Sequence, residues 1–210
     1  MTTWLRLRSA PRRGGADPAV VGGDTSPFRL DELADDLTVL LHDDRPWAGV
    51  ASSAPGTVGG GATGAVVVWG PDLLTVRVVP PRPVAGPWLR FELNGRPTTF
   101  HVHGPDGEVL DGALDQPGTQ TRLRRVVGSW SRTALTVRVR VGGRTMFLSG
   151  QGVGGWRVRT ADGRPVAEAA AGGLRVAREA DPVERSAAVA VTQSVLRSSY
   201  LPLSTLWPTS

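Results

Sequence analysis

Two histidines spaced for one face of a strand are the residues best suited to metal chemistry. His101 and His103 are separated by one residue, so alternation along a β-strand points both imidazoles away from the side that carries Phe100 and Val102. A metal site needs a third ligand, and His42 is the only other histidine in the sequence. We therefore predict solvated side chains here, and the sequence assigns no metal, no cofactor and no catalytic residue.

Other motifs that carry chemistry are missing from the sequence. The chain has no cysteine, and all 24 of its basic residues are arginine, which excludes disulfides, thiolate metal sites and Schiff-base or P-loop lysines. There is no Gly-x-Ser-x-Gly nucleophile elbow. The glycine-rich run 150–155 precedes a predicted strand, which indicates a turn or bulge and not a dinucleotide fingerprint. The sequence favours a protein that is not an enzyme, without excluding catalysis.

The arginines are the candidate binding residues. The chain carries 24 basic and 19 acidic side chains, a net charge of +5. Scattered arginines disfavour nucleic acid, whereas arginines that alternate with apolar residues on predicted strands point outward, where they could bind a membrane surface or an acidic protein. The arginines predicted to do so are Arg77, Arg138, Arg140, Arg157 and Arg159.

Two further groups of residues are predicted to contact other molecules. Trp47 follows a proline and Trp130 lies in a Gly-Ser-Trp sequence, so both are predicted in turns, where an exposed indole could stack on a ligand such as a sugar. The apolar tail 200–207 either packs on the domain or docks on a partner, which leaves oligomerisation open. The docking residues would be Tyr200, Leu203 and Trp207.

Short β-branched runs separated by Gly, Pro and Asp-Gly dominate the chain from residue 65 onward, as is typical of an all-β barrel or sandwich. Residues 1–27, which lack periodicity, are predicted to be a flexible tail ahead of a single domain, 28–210. About a dozen strands are predicted: 37–41, 65–69, 73–79, 88–93, 98–103, 108–110, 122–127, 135–141, 145–148, 156–160, 166–169 and 174–178.

An internal repeat relates two parts of this β region. The sequence Leu-Thr-Val-Arg-Val at 74–78 recurs at 135–139, and an aromatic-x-Val strand followed by Asp-Gly also occurs in both parts. We predict a duplication of about 73–110 and 134–169. Each Asp-Gly pair is predicted to form a hairpin turn, because glycine adopts φ > 0 freely and aspartate bonds its own backbone.

The C-terminal segment has a different period. Asp181-Pro182 is a helix-start signal, and the apolar residues that follow cover nearly the whole circumference of a helix predicted over 182–198. A helix that is apolar all round is buried in protein or lipid, and this one is too short to span a bilayer comfortably. We therefore predict a helix buried within the domain.

This combination resembles the tubby C-terminal-like superfamily, which includes the phospholipid scramblase and LURP-one-related proteins. The motifs that carry the resemblance are Phe100-x-Val102-x-x-x-Asp106-Gly107, Trp156-x-Val158-x-x-x-Asp162-Gly163 and the apolar helix 187–196. The resemblance implies a closed β-barrel around a hydrophobic C-terminal helix, with membrane or phosphoinositide association and often no enzymatic activity.

The sequence thus predicts a mainly β protein, an antiparallel closed barrel of about twelve short strands with an internal duplication around a buried C-terminal helix. The alternative is a β-sandwich with a packed helix. The expected function is a non-enzymatic binding or scaffold domain for anionic lipid or an acidic partner, with carbohydrate binding or subunit assembly through the tail as alternatives. No apolar segment spans a membrane and the N-terminus has no apolar signal region, so the expected location is the cytoplasm, including its membrane periphery.

Overall fold

The residues that the structure describes form twelve strands and one helix. The computed structural model of the chain describes residues 2–11, 38–52, 66–78, 98–104, 108–115, 136–151, 155–170 and 173–197. The elements are β1 Trp4–Pro11, β2 Thr38–His42, β3 Arg45–Ser52, β4 Val66–Gly70, β5 Leu73–Val78, β6 Thr98–His103, β7 Val109–Asp115, β8 Thr136–Val141, β9 Arg144–Gln151, β10 Gly155–Thr160, β11 Pro165–Ala170, β12 Gly173–Ala177 and α1 Pro182–Arg197.

The strands form a closed antiparallel barrel in chain order. Each strand pairs with its neighbours in sequence, and β1 closes the barrel by pairing with both β2 and β12. Closure leaves no strand edge open to another chain. The prediction of a closed barrel is therefore confirmed, and the sandwich alternative is not what forms.

Alternation along the strands divides the barrel into an inner and an outer face. On β8, Val137, Val139 and Val141 are buried, whereas Arg140 is exposed. On β10, Trp156 and Val158 are buried and Arg159 is exposed. The period-2 pattern thus placed these inner and outer residues correctly.

Helix α1 fills the lumen of the barrel. Residues 186–191 have no solvent-exposed surface, and the helix packs against β4, β5, β6 and β8 to β12. Three of these residues are alanines (Ala187, Ala188 and Ala190), which keep the helix thin enough to be surrounded by strands. The predicted buried helix is confirmed, with the end at Arg197 one residue earlier than expected.

Polar contacts fasten the start of α1 to the rim of the barrel. The Asp181 carboxylate accepts a hydrogen bond from the Val183 N–H at 2.9 Å, as a helix cap. The Arg185 guanidinium donates to the carbonyls of Arg178 and Ala180 at 3.0 and 2.9 Å. Ser186 Oγ accepts the Leu74 N–H of β5 at 2.8 Å, so the helix has a fixed depth in the lumen.

The predicted flexible tail is wrong for Trp4–Pro11, which form β1. Leu5 and Leu7 are buried, while Arg6 and Arg8 are exposed. The pattern that could have predicted β1 is therefore this short alternation of apolar and charged residues, which precedes a stretch of sequence without periodicity. The remainder of the predicted tail, 12–27, lies outside the described residues.

Strand β3 was also not predicted. Its residues 47–51 are all buried, because β3 packs the barrel core on one face and a second apolar cluster on the other. That second cluster lies on the outer face of β2, β3 and β4 and includes Val39, Ala51, Val67 and Trp69. A strand that is buried on both faces has no apolar-polar alternation to reveal it.

The repeat corresponds to only part of the structure. Strand β5 pairs directly with β6, whereas their counterparts β8 and β10 have β9 between them. The strand predicted at 88–93 as the counterpart of β9 lies outside the described residues. The match therefore does not extend strand for strand.

The second Asp-Gly pair forms the predicted hairpin turn. Gly163 adopts a φ of 87° between β10 and β11, and its N–H donates to the Thr160 carbonyl at 2.9 Å. The Thr160 hydroxyl donates to the Asp162 carboxylate, which is the main reason why the pKa of Asp162 lies below its usual value. The first pair, Asp106-Gly107, lies outside the described residues.

Candidate functional site

An arginine-rich outer surface covers half of the barrel. Strands β8, β9, β10, β11, β12 and β1 are contiguous in the closed sheet, and the only Asp or Glu within them is Glu168. We call the outward arginines of these six strands the basic wall. Its members are Arg6, Arg8, Arg138, Arg140, Arg157, Arg159 and Arg175.

The strand register sets the spacing of the basic wall. Arg6 of β1 lies directly opposite Arg175 of β12, and Arg175 in turn lies opposite Glu168 of β11. On the other side, Phe147 of β9 lies between Arg138 of β8 and Arg159 of β10. Like charges directly opposite each other on neighbouring strands are destabilising, so the Arg6–Arg175 pair is expected to cost folding energy, which the carboxylate of Glu168 opposite Arg175 offsets in part.

Arg157 and Arg8 of the basic wall lie beside carboxylates. Arg157 Nε lies 2.7 Å from Glu168 Oε1, with both side chains about 30% exposed, and Arg8 forms an ion pair with Asp44 in the β2–β3 turn. A guanidinium carries five N–H donors, so each of these arginines has N–H groups left over that its carboxylate partner does not accept. Arg6, Arg159 and Arg175 are exposed on the same wall.

Four of the five predicted binding arginines fall on the basic wall, and the fifth does not. Arg77 lies on β5, half-buried, and two strands separate β5 from β8. Its cross-strand neighbour is His101 of β6. Sequence reasoning missed Arg6 and Arg8 because β1 was not predicted, and Arg175 although it alternates with the buried residues Leu174 and Val176.

A histidine cluster lies beside Arg77 on the outer face. His101 Nδ1 is 3.0 Å from Asp111 Oδ1 on β7, and the rings of His101 and His103 are 6.5 Å apart. Partial burial is the largest of the effects that lower the pKa of His103 below 6.5, and the charges of His101 and Arg77 add to it. Within the described ranges, no three His, Asp or Glu side chains come together as metal ligands.

The lowered pKa of His103 has a consequence for stability. The unfolded chain binds a proton at this residue more readily than the folded protein does, so stability falls as the pH drops below about 6.5 and the loss is complete below the folded pKa. His103→Gln is expected to reduce the fall in Tm between about pH 7 and about pH 5. Asp162 is unchanged in the variant and also has a lowered pKa. Its contribution to the pH dependence of stability falls at pH values below about 3.8, outside this window.

The measurement is a pair of thermal melts across that pH range, with Tm at about pH 8 as the reference for any pH-independent effect of the substitution. Curves of Tm against pH that run parallel in the two proteins would contradict the assigned role of His103.

A groove opens between β7 and the β8–β9 hairpin. It has a volume of about 610 Å³, and its lining includes His101 and Asp111 on one side and Arg140, Arg144 and Thr145 on the other. Gly142 and Gly143 form the hairpin turn with φ values of 51° and 75°, and they add backbone without side chains to the lining. The groove thus joins one arginine of the basic wall to the histidine cluster.

The structure contradicts the predicted exposure of Trp47. Trp47 is only 5% exposed within the barrel core, and its indole N–H donates to Asp72 Oδ2 at 3.2 Å. Pro46, taken as a turn signal, instead lies within β3 beside an irregularity in the β2–β3 register. The other predicted contact residues, Trp130, Tyr200, Leu203 and Trp207, lie outside the described residues.

Comparisons of the chain with models of protein families, with curated proteins and with solved structures found no match. In the part of the chain that the structure describes, no helix combines the length and apolar character needed to cross a membrane.

Proposed function

We propose that this protein is a non-enzymatic barrel domain that docks on an anionic membrane surface through the basic wall. The observation that carries the proposal is the charge imbalance of the wall: seven outward arginines and one carboxylate on six neighbouring strands. At about 4.8 Å between strands, these arginines spread over about 24 Å of surface, which suits an extended anionic partner better than a single small ligand.

Arginine is suited to this role because its charge is permanent and its planar guanidinium binds phosphate and carboxylate oxygens through paired hydrogen bonds. The cross-strand pairing of Arg6 on β1 with Arg175 on β12 gives a further reason. A partner anion between them would relieve the repulsion, so that part of the folding energy lost there is regained on binding.

We also propose a relationship to the tubby C-terminal-like superfamily. Its support is architectural: a closed twelve-stranded barrel that surrounds a buried C-terminal helix agrees with what that resemblance implied. The proposal concerns fold class and carries no ligand-binding residues with it, because fold alone does not determine function.

Neutralising two arginines of the basic wall is expected to weaken membrane binding strongly. Each arginine near an anionic surface contributes about 1 kcal/mol, so Arg159→Gln combined with Arg175→Gln should lower the partition coefficient about 30-fold. Both side chains are exposed, so the fold should tolerate the change. The measurement is cosedimentation with phosphatidylcholine vesicles that contain phosphatidylserine, at about 0.05 M and about 0.5 M NaCl.

A matched control removes the same charge from two exposed arginines that are not members of the basic wall. Arg45→Gln combined with Arg178→Gln changes two exposed arginines, one at the start of β3 and one in the turn after β12. It should retain nearly full binding. Equal losses in both double variants, or binding that ignores salt, would contradict docking through the wall, and binding to an acidic polypeptide but not to vesicles would favour an acidic protein partner.

A further inference from the structure

The two strands that close the barrel place a pair of arginines side by side on its outer face. Arg6 of β1 lies directly opposite Arg175 of β12, and we call these two residues the seam pair. Both are exposed, whereas the residues before and after each of them are buried. Directly opposite residues of antiparallel strands have Cβ atoms about 4.5–5.5 Å apart, so both guanidiniums can reach one group that lies between them.

One carboxylate adjoins the seam pair, and another arginine shares it. Glu168 of β11 is the second cross-strand neighbour of Arg175, but Glu168 Oε1 lies 2.7 Å from Arg157 Nε on its other side. The row of outward residues that crosses β10, β11, β12 and β1 therefore holds three arginines and one carboxylate. Arg6 lies at the end of this row, next to Arg175 and farthest from Glu168.

The β2–β3 turn adds two aspartates at the same edge of the basic wall. Asp44 is ion-paired with Arg8, and Asp43 Oδ2 lies 3.5 Å from His42 Nε2. With Arg8 and this turn included, the seam has four arginines and three carboxylates, and each carboxylate lies beside a basic side chain outside the seam pair. One positive charge remains in excess, and it falls on the pair that closes the barrel.

Backbone contacts hold β1 in place on both sides of the seam pair. The Thr3 N–H donates to Glu179 Oε1 at 2.8 Å, and the Thr3 carbonyl accepts the Arg178 N–H at 2.9 Å. On the other side, the Arg6 carbonyl lies 3.2 Å from His42 Nδ1. The backbones that carry the two guanidiniums are therefore positioned by the fold, so a ligand need not spend binding energy to bring them together.

The surface next to the seam pair is open because small residues occupy it. Gly173 of β12 pairs with Ala170 of β11, two residues before Arg175. Gly173 has a φ of 116°, and a Cβ there would lie 2.4 Å from the Leu7 carbonyl oxygen, so the close approach of β1 requires glycine. No bulky side chain therefore rises beside Arg175 at this end of the row.

We infer that the seam pair is a binding site for an oxyanion group such as phosphate, and that its occupancy stabilises the closure of the barrel by β1. Planar guanidiniums bind such oxygens through paired hydrogen bonds. An anion between them also removes a repulsion that opposes the pairing of β1 with β12. The inference deepens the proposed docking, because it names one site within the basic wall, but it is tested in solution without a membrane.

The test compares the unfolding of the full chain in sodium phosphate and in sodium chloride of equal ionic strength, at about pH 7. A ligand that binds only the folded protein lowers the unfolding constant about tenfold when its concentration is about ten times Kd. Phosphate should also cause saturable amide NMR shifts at residues 5–8 and 174–177. The amides of β1 should exchange their hydrogens more slowly in phosphate, because closure becomes more stable.

Arg6→Gln is expected to change stability in opposite directions in the two salts. In chloride it removes a repulsion, so the unfolding constant should fall by up to about fivefold. The further decrease that phosphate causes should shrink to within about twofold, because one of the two guanidiniums is gone. Glu168→Gln removes the opposing charge, so it should lower the Kd for phosphate about threefold.

The matched control is Arg159→Gln, which removes the same charge from an exposed arginine of the basic wall that lies outside the seam. It should keep the full effect of phosphate, and the general stabilisation of proteins by phosphate is common to all variants. Equal effects of phosphate on the original protein, Arg6→Gln and Arg159→Gln would overturn the inference. So would an Arg6→Gln protein that is less stable than the original in chloride, because the two arginines would then not repel.

Competition with vesicles distinguishes free phosphate from a lipid headgroup as the natural source of the oxyanion. Saturating phosphate that displaces the protein from phosphatidylserine-containing vesicles at constant ionic strength would assign the site to a headgroup, and stabilisation without displacement would assign it to a soluble phosphate. Both results support an oxyanion site. Phosphate-dependent stability without any vesicle binding would contradict only the proposed docking, and vesicle binding without any effect of phosphate would contradict only the site.

Discussion

Val191→Asp is expected to abolish cooperative folding. Val191 lies in α1 with no exposed surface, surrounded by the barrel core. An aspartate there must either bury an unpaired charge or take up a proton, and each option costs several kcal/mol. A domain of ordinary stability has about 5–15 kcal/mol in total, so the variant should be largely unfolded at room temperature.

Two further variants separate the effect of burying a charge from the effects of introducing aspartate at an exposed site and of replacing Val191 with a neutral residue. Val109→Asp introduces the same residue at an exposed position, 52% accessible at the start of β7, and should unfold close to the original urea midpoint. Val191→Thr keeps the shape of valine but buries a hydroxyl, so we expect a folded protein that loses about 1–3 kcal/mol. The measurement is urea unfolding followed by circular dichroism and tryptophan fluorescence.

A soluble Val191→Asp protein that unfolds cooperatively with nearly the original midpoint would show that α1 does not occupy the lumen in solution. The same result would remove the basis for the barrel architecture, because a closed sheet of twelve strands without a central helix would enclose unfilled space.

Local chemistry explains why the helix and several strands could be predicted. Asp181-Pro182 marks the helix start whatever surrounds it, and apolar residues on all sides of the helix require a position inside the protein. Strands such as β8 alternate between core and solvent, so their period identifies both their existence and their inner face. These features depend on residues close together in sequence.

The candidate sites depend on which strands pair and in what register, which local patterns do not encode. Arg6 and Arg175 become cross-strand neighbours only because β1 pairs with β12, which lies far from it along the chain. The groove likewise needs β7 beside the β8–β9 hairpin, which brings Asp111 and His101 near Arg140. Trp47 was misplaced for a related reason, since Pro46 suggests a turn until the pairing of β3 is known.

Gly112→Val is the second substitution with a large expected effect. Gly112 of β7 lies directly across from Phe100 of β6, and a Cβ at Gly112 would come within 2.3 to 2.6 Å of three carbons of the Phe100 ring. Phe100 is buried, and β-strands and α1 surround it, so the ring has little room to move. We expect a loss of about 3 kcal/mol or more in the free energy of unfolding, the upper range for overpacking.

A double-mutant cycle with Phe100→Ala tests the cause of that loss. Phe100→Ala alone should cost about 3–5 kcal/mol through the cavity it leaves. In the double variant the valine fills part of that space and no longer meets a ring, so the combined loss should be smaller than the sum of the two single losses by about 2 kcal/mol. Urea unfolding of the four proteins measures this coupling. Additive losses would show that Gly112 is required for some reason other than contact with the Phe100 ring, such as the backbone conformation of β7.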